Sequence, residues 1–187
     1  MANKVKFGLK NCYYATITDD GQGNITYGTP TALKGAVSMT LSPSGETTEF
    51  YADDSLYFSD VNNNGYEGTL ELALIPEDFK KDCLGETLDT DGVLVETAST
   101  INNPFALLCE FTGDDKARRF VFYRCMASRP DLASQTKGES IEVQTETLNL
   151  TIRPNADGQV KAETTETTDT TTYNGWYSAV YTTVVSA

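Results

Sequence analysis

Histidine is absent from the 187 residues, and that single absence removes several chemistries together. No Ser-His or Cys-His nucleophile arrangement can be built, and a mixed Cys/His zinc site has no imidazole to use. The four cysteines, Cys12, Cys83, Cys109 and Cys125, show no C-x-x-C spacing, so structural zinc is excluded and free buried thiols are expected. Positive charge is scarce as well: 14 basic against 27 acidic residues give a net charge of −13, which repels phosphate. That balance argues against a protein that grips nucleic acid, yet it suits a surface past which DNA slides without sticking. Neither a G-x-S-x-G elbow nor a phosphate-binding glycine loop occurs, and among so many acids no spacing singles out a general acid from a base. No enzyme is expected, and no cofactor. No apolar run approaches a membrane span, and the basic start runs into Asn11 and Cys12 without a signal peptide's apolar stretch, so a soluble product made in the cytoplasm is expected. The hydrophobic fraction, 39%, is below the usual share, so much of the chain must lie on a surface, in loops or at a partner interface.

What the sequence does contain is strand signal. Residues 12–18 (CYYATIT) are aromatic and β-branched, and the polar run 19–24 turns them into a hairpin with 25–27. In 35–41 (GAVSMTL), Val37, Met39 and Leu41 alternate with Ser38 and Thr40, the period of a half-buried strand. Residues 69–75 alternate again, with Leu70, Leu72 and Leu74 on one face. A helix over about 76–84 follows: Pro76 suits its first position, Glu77 and Asp78 the positive end of the dipole, and Gly85 its stop. Phe79, Cys83 and Leu84 form its inward stripe. The near-continuous apolar runs 104–111 (PFALLCEF) and 119–126 (RFVFYRCM) predict central strands covered on both faces. A turn centred on residues 113–116 places Phe120, not Cys125, opposite Cys109. Residues 139–153 read as one long strand ending at Pro154, residues 163–172 as an irregular threonine-rich surface segment, and residues 175–181 as a short terminal helix packing Trp176, Val180 and Tyr177. The expectation is one domain over 1–187, mainly β, an antiparallel sandwich or flattened barrel with a flanking helix.

Between residues 42 and 68 the chain becomes polar and turn-rich, with aromatic patches, and reads as a long protruding loop. Aromatics on such a segment are an aggregation liability unless they pack against something, so Phe50, Tyr51, Asp53, Leu56, Tyr57 and Phe58 are candidate inter-subunit contacts; the alternative is that they fold back onto the parent sheet. The same stretch holds Asp60-Val61-Asn62-Asn63-Asn64-Gly65 and then Glu71, which fits the calcium-loop pattern D-x-[DN]-x-[DN]-G-x5-E. That loop needs flanking helices, whereas strands are predicted here, and Glu67 stands where the loop is normally apolar. Asn-Asn-Asn-Gly is equally explained as a tight turn, so Asp60, Asn62, Asn64 and Glu71 are not expected to form a functional metal site. A calcium-binding module and an adhesion-type β-sandwich are the rival readings.

Several longer stretches carry a resemblance: KVKFGLKNCYYA, KGAVSMTLSPSGETTEFYADD, NNGYEGTLELALIPEDFKKDCLGETLDTDGVLVE, PFALLCEF, ASRP and TTYNGWYSAVY. In that order, over nearly the whole chain, they resemble the phi13-type family of phage major tail proteins. The resemblance implies a virion structural protein, a tail-tube subunit that polymerises as stacked hexameric rings and forms the conduit for DNA ejection. It also implies contacts with a tape measure protein and with tail terminator or baseplate proteins, and no catalysis.

Overall fold

The computed structural model describes residues 3–21, 24–136 and 143–183. Along the chain run β1 (Lys6–Asp19), β2 (Ile25–Tyr27), β3 (Thr31–Ala32), β4 (Ala36–Pro43), β5 (Thr47–Ala52), β6 (Ser55–Val61) and β7 (Tyr66–Leu72). Then come α1 (Glu77–Asp82), β8 (Thr87–Leu88), β9 (Leu94–Val95), β10 (Phe105–Gly113), β11 (Arg118–Ala127), β12 (Glu146–Ile152), β13 (Lys161–Glu163) and α2 (Thr170–Asn174). Among the described residues nine strands form one antiparallel sheet of order β2-β1-β10-β11-β12-β7-β4, with β13 added to β11 and β3 to β1. Strand accounts for 46% of the chain and helix for 6%, so the mainly β expectation holds, although the sheet does not close into a barrel.

Irregularities in the ladder bend this sheet. The pairing of β1 with β10 shifts register between Phe7 and Leu9 and again between Lys10 and Tyr13. Gly8, at φ +70°, and Asn11, at φ +48°, sit at those two breaks. Both residue types tolerate the left-handed region, and a bulge increases local twist, which is how a 14-residue strand curves around the core.

Two apolar layers result. On the concave side, Leu70, Leu72, Leu148, Leu150 and Ile152 of β7 and β12 meet Leu107, Cys109 and Phe122 of β10 and β11. Helix α1 closes that layer with Phe79, whose ring stands edge-on to Tyr14 and to Phe105, both at 5.1 Å. On the opposite face Ala106, Leu108, Val121 and Tyr123 are covered by Trp176 and Val180 of the C-terminal segment, with Tyr177 packed alongside. Strands β10 and β11 are therefore covered on both sides, as their continuous apolar runs predict, and Cys109 pairs with Phe120 in the register. The C-terminal cover is tied down by Arg119: its Nε donates to Glu110 Oε2 at 2.9 Å, Nη1 donates to the Tyr173 carbonyl, and the guanidinium lies 3.9 Å from the Tyr173 ring centroid. All four cysteines are free and buried. Burial raises each thiol, Cys12 to about 12, and so keeps them protonated and unreactive.

Five expectations need correction. Strand β7 stops at Leu72, so Leu74 is exposed and Ile75 takes the inward place. Val37 falls at a register shift between Ala36 and Ser38, which turns it outward while Met39 and Leu41 stay partly buried. The strand predicted over 139–153 is β12 alone; Val143 is exposed, the inward residues are Leu148, Leu150 and Ile152, and 139–142 lie outside the described residues. The terminal helix lies at Thr170–Asn174 instead of 175–181, because Asp169 caps it by accepting from the N–H groups of Thr171 and Thr172, and Gly175 ends it. Helix α1 is shorter than predicted, 6 residues over Glu77–Asp82 with Pro76 as its N-cap instead of its first residue, while Gly85 at φ +74° lets Glu86 N–H donate back to the Lys80 carbonyl at 3.1 Å.

Because Phe79 is fully buried between two aromatic rings, its truncation leaves a cavity that a curved sheet cannot collapse. Phe79→Ala should cost about 3–5 kcal/mol, lowering Tm by roughly 10 °C for a domain of this size. Thermal unfolding by circular dichroism checks it; a shift of only about 2 °C would mean the site repacks.

Candidate assembly interface

The segment predicted as a loop over 42–68 is a continuous β-ribbon. Strands β4 and β7 pair as far as Pro43 opposite Tyr66. The ladder then continues through Ser44 N–H to the Gly65 carbonyl at 2.9 Å, Asn64 N–H to the Ser44 carbonyl at 2.9 Å and Asn62 N–H to the Glu46 carbonyl at 3.0 Å. Strands β5 and β6 take over from Thr47 opposite Val61 to Ala52 opposite Ser55. Asp53 and Asp54, at φ +51° and +57°, close the hairpin as a two-residue turn with both central residues left-handed. At about 3.3 Å per residue, the stretch from Pro43 to Ala52 gives this arm a reach of about 30 Å.

Strand alternation puts apolar side chains on both faces of the arm. Phe50 and Phe58 are register partners on one face, and the Tyr57 ring stands edge-on to Phe50 at 6.4 Å. Tyr51 and Leu56, partners on the other face, share it with Val61. These six residues are between 52% and 75% exposed, and Asp53 is exposed at the tip. The aromatics do not fold back onto the parent sheet. The Tyr51 hydroxyl donates to Glu49 at 2.8 Å, and that bond raises its phenol above the ordinary range.

The base of the arm is where the calcium-like pattern falls, and its parts do other work. Asn63 Oδ1 accepts from Gly65 N–H at 3.0 Å, and Asp60 Oδ1 accepts from Val61 N–H at 2.9 Å. Gly65 has φ +97°, and a Cβ there would stand 2.0 Å from the Ile152 carbonyl oxygen, so the glycine serves close backbone approach. Glu71 lies within β7, where the hydroxyls of Thr145 and Ser38 donate to it at 2.7 and 2.8 Å and lower its pKa. The pattern therefore sits in a strand-to-strand ribbon, not between helices. Among the described residues no group of three or more acids and cysteines could hold a metal ion.

Arg153 escaped the sequence reading, since nothing local marks an arginine before a proline as a clamp. Its Nη1 donates to the Asn64 carbonyl at 3.0 Å and to Ser44 Oγ at 3.4 Å, and its Nη2 to Glu67 Oε1 at 2.7 Å. It thus holds both strands at the arm's root. The side chain is 43% exposed, so global stability depends little on the ion pair.

A second surface lies on the outward face of β12, β7 and β4. Three rows cross it in register: Thr147, Glu71 and Ser38; Asn149, Thr69 and Thr40; Thr151, Glu67 and Ser42. All are polar, and the three strands contain no lysine or arginine. Strand β4 ends the sheet path at this side.

Arg153→Ala should leave Tm within about 2 °C while loosening the arm, because an exposed pair contributes little to the fold but fixes local geometry. Limited proteolysis between Ser44 and Asn64 reads this. Unchanged cleavage there would remove Arg153 from the clamp role.

Among the described residues no helix is long and apolar enough to cross a membrane. No curated protein matches the chain. A family model described as phage tail tube protein matches residues 2–176, a span that includes the arm, the polar sheet face and α2. A β scaffold carrying an unsatisfied aromatic arm fits a component of a multi-subunit tail, and the chain belongs to the phage tail tube protein family.

Proposed function

We propose that this chain is the major tail-tube subunit of a long-tailed phage or phage-like particle, of the phi13-type group. It folds as a single domain, polymerises as stacked hexameric rings, and forms the conduit through which DNA is ejected, without catalysis or cofactor. The observation that carries this reading is the arm: a ribbon with apolar residues on both faces is satisfied only when neighbouring subunits cover it. Phe50, Tyr51, Asp53, Leu56, Tyr57 and Phe58 then make the inter-subunit contact. A heterologous contact of this kind, joining one surface to a different one on the next copy, generates rings and stacks. Tape measure and terminator or baseplate proteins are the further partners.

The conduit role draws on the polar face of β12, β7 and β4. The rows present hydroxyl, amide and carboxylate groups, and the one cation described against them, Arg153, is engaged by Glu67, so phosphate finds little to release counterions against and DNA slides past without binding. This face is assigned to the lumen, which is then enriched in acids over bases.

Two measurements follow. Negative-stain electron microscopy of the purified chain at rising concentration should show rings or tubes. Deleting 45–54 should leave a folded protein that does not elongate, and full-length tubes from that deletion would refute the arm's role. A reconstructed tube should place Glu67, Thr69 and Glu71 on the inner wall. A neutral or basic lumen, with this face turned outward, would sink the lumen assignment and leave the tube standing.

A further inference from the structure

Beneath the root of the arm the curved sheet leaves an open groove of about 650 Å³. Its floor is aromatic and apolar: Met39, Leu41, Tyr66, Phe111, Phe120 and Phe122. Phe111 and Phe120 lie 4.9 Å apart, and Phe120 stacks on Phe122 at 6.5 Å, so the floor is preorganised. Its rim is basic: Lys4, Lys6, Arg118 and Lys161 stand against the single carboxylate of Glu163. Two of these cations sit over the floor, Lys6 at 5.5 Å from the Phe111 ring and Lys161 at 5.7 Å from that of Tyr66. In a chain of net charge −13 with 14 basic residues, four of them around one aromatic groove is a marked concentration.

The arm has the opposite character. Glu46, Glu49, Asp53, Asp54 and Asp60 give it five acids, no lysine or arginine occurs between Pro43 and Tyr66, and its apolar side chains are aromatic and exposed. An acidic aromatic ribbon and a basic aromatic groove are complementary in charge and in surface chemistry. The groove lies at the arm's own root, where Leu41 and Tyr66 line it, whereas the tip reaches about 30 Å away. The arm therefore meets this groove on another molecule.

We propose that the groove is the receptor for the arm: the β5–β6 hairpin of one copy docks on the aromatic floor of a second copy. The carboxylates of Glu49, Asp53 and Asp54 then pair with Lys4, Lys6 and Lys161. The inference rests on self-assembly of the chain as proposed above. Aromatic burial supplies the affinity, and the rim charges set register and association rate, so elongation slows as salt rises.

Charge reversal tests it in full-length protein. The arm set Glu49→Lys, Asp53→Lys and Asp54→Lys, and the groove set Lys4→Glu, Lys6→Glu and Lys161→Glu, should each reduce tube formation about ten-fold or more. An equimolar mixture of the two, and one chain carrying all six changes, should restore it, because each reversed arm then meets a reversed groove. Either set alone assembling like the wild type would overturn the proposal. So would a six-fold variant that melts like the wild type yet does not assemble. If the groove set instead assembles normally but loses affinity for a single-stranded oligonucleotide, the groove serves nucleic acid and the docking is refuted. Should a reversed set fail to fold, chains carrying Asp54→Cys and Lys6→Cys, mixed and treated with a short bismaleimide, give the answer. A heterodimer band confined to the mixture supports the docking, and its absence overturns it. Wild-type protein run alongside separates the two ideas: tubes from the wild type with unaffected variants defeat only this docking, whereas a wild type that never assembles defeats the tube reading as well.

Discussion

A two-stranded ribbon has no interior. Whatever apolar side chains it carries on both faces must be covered by something outside it, and two strands alone are at best marginally stable in water. Arm residues Phe50, Tyr57 and Phe58 on one face, and Tyr51, Leu56 and Val61 on the other, meet that condition within a chain otherwise well supplied with polar surface. Hydrophobic burial is the largest favourable contribution to folding and association, so in the proposed tube these faces, exposed in the single chain, are the ones that assembly would bury. The rest of the molecule anchors this ribbon at its root and points it away from the core.

The scaffold does this with few devices. The arm is the direct continuation of β4 and β7, so its direction is set by the sheet. Gly65 lets the ribbon pass close to the end of β12, and Arg153 grips both strands at that crossing. Behind the root, β10 and β11 are buried on both faces, and α1 and the C-terminal segment each seal one layer. Local stability thus falls from a doubly covered centre to a two-stranded arm that no other described element covers. The charge distribution follows the same division, with acids on the arm and the polar sheet face and a cluster of cations around the groove.

Much of this was legible in the sequence where a pattern is local. The continuous apolar runs at β10 and β11, the register placing Phe120 against Cys109, and the inward stripe Phe79, Cys83 and Leu84 all follow from periodicity and turn position. Misses arose where one residue overrides a pattern. A bulge turned Val37 outward, and the Asp169 cap drew the last helix upstream of the stretch whose Trp176 and Val180 suggested it. The protrusion, its aromatics and a strand at 56–58 are legible locally, but the pairing partner and the turn at Asp53-Asp54 are not, because Asp-Asp is a weaker turn signal than Asn-Gly or Asp-Gly. Arg153 and the groove had no local signature at all. The groove collects β1, β4, β7, β10, β11 and β13, elements far apart in sequence that only the topology brings together.

The claim on which the account turns is that assembly buries the arm. Hydrogen–deuterium exchange read peptide by peptide, on dilute unassembled protein and on assembled particles of the same chain, measures this directly. The account predicts that amides of β5 and β6 exchange rapidly in the unassembled chain and gain strong protection on assembly, while β10 and β11 are protected in both. Equal exchange of β5 and β6 in the two states would contradict it.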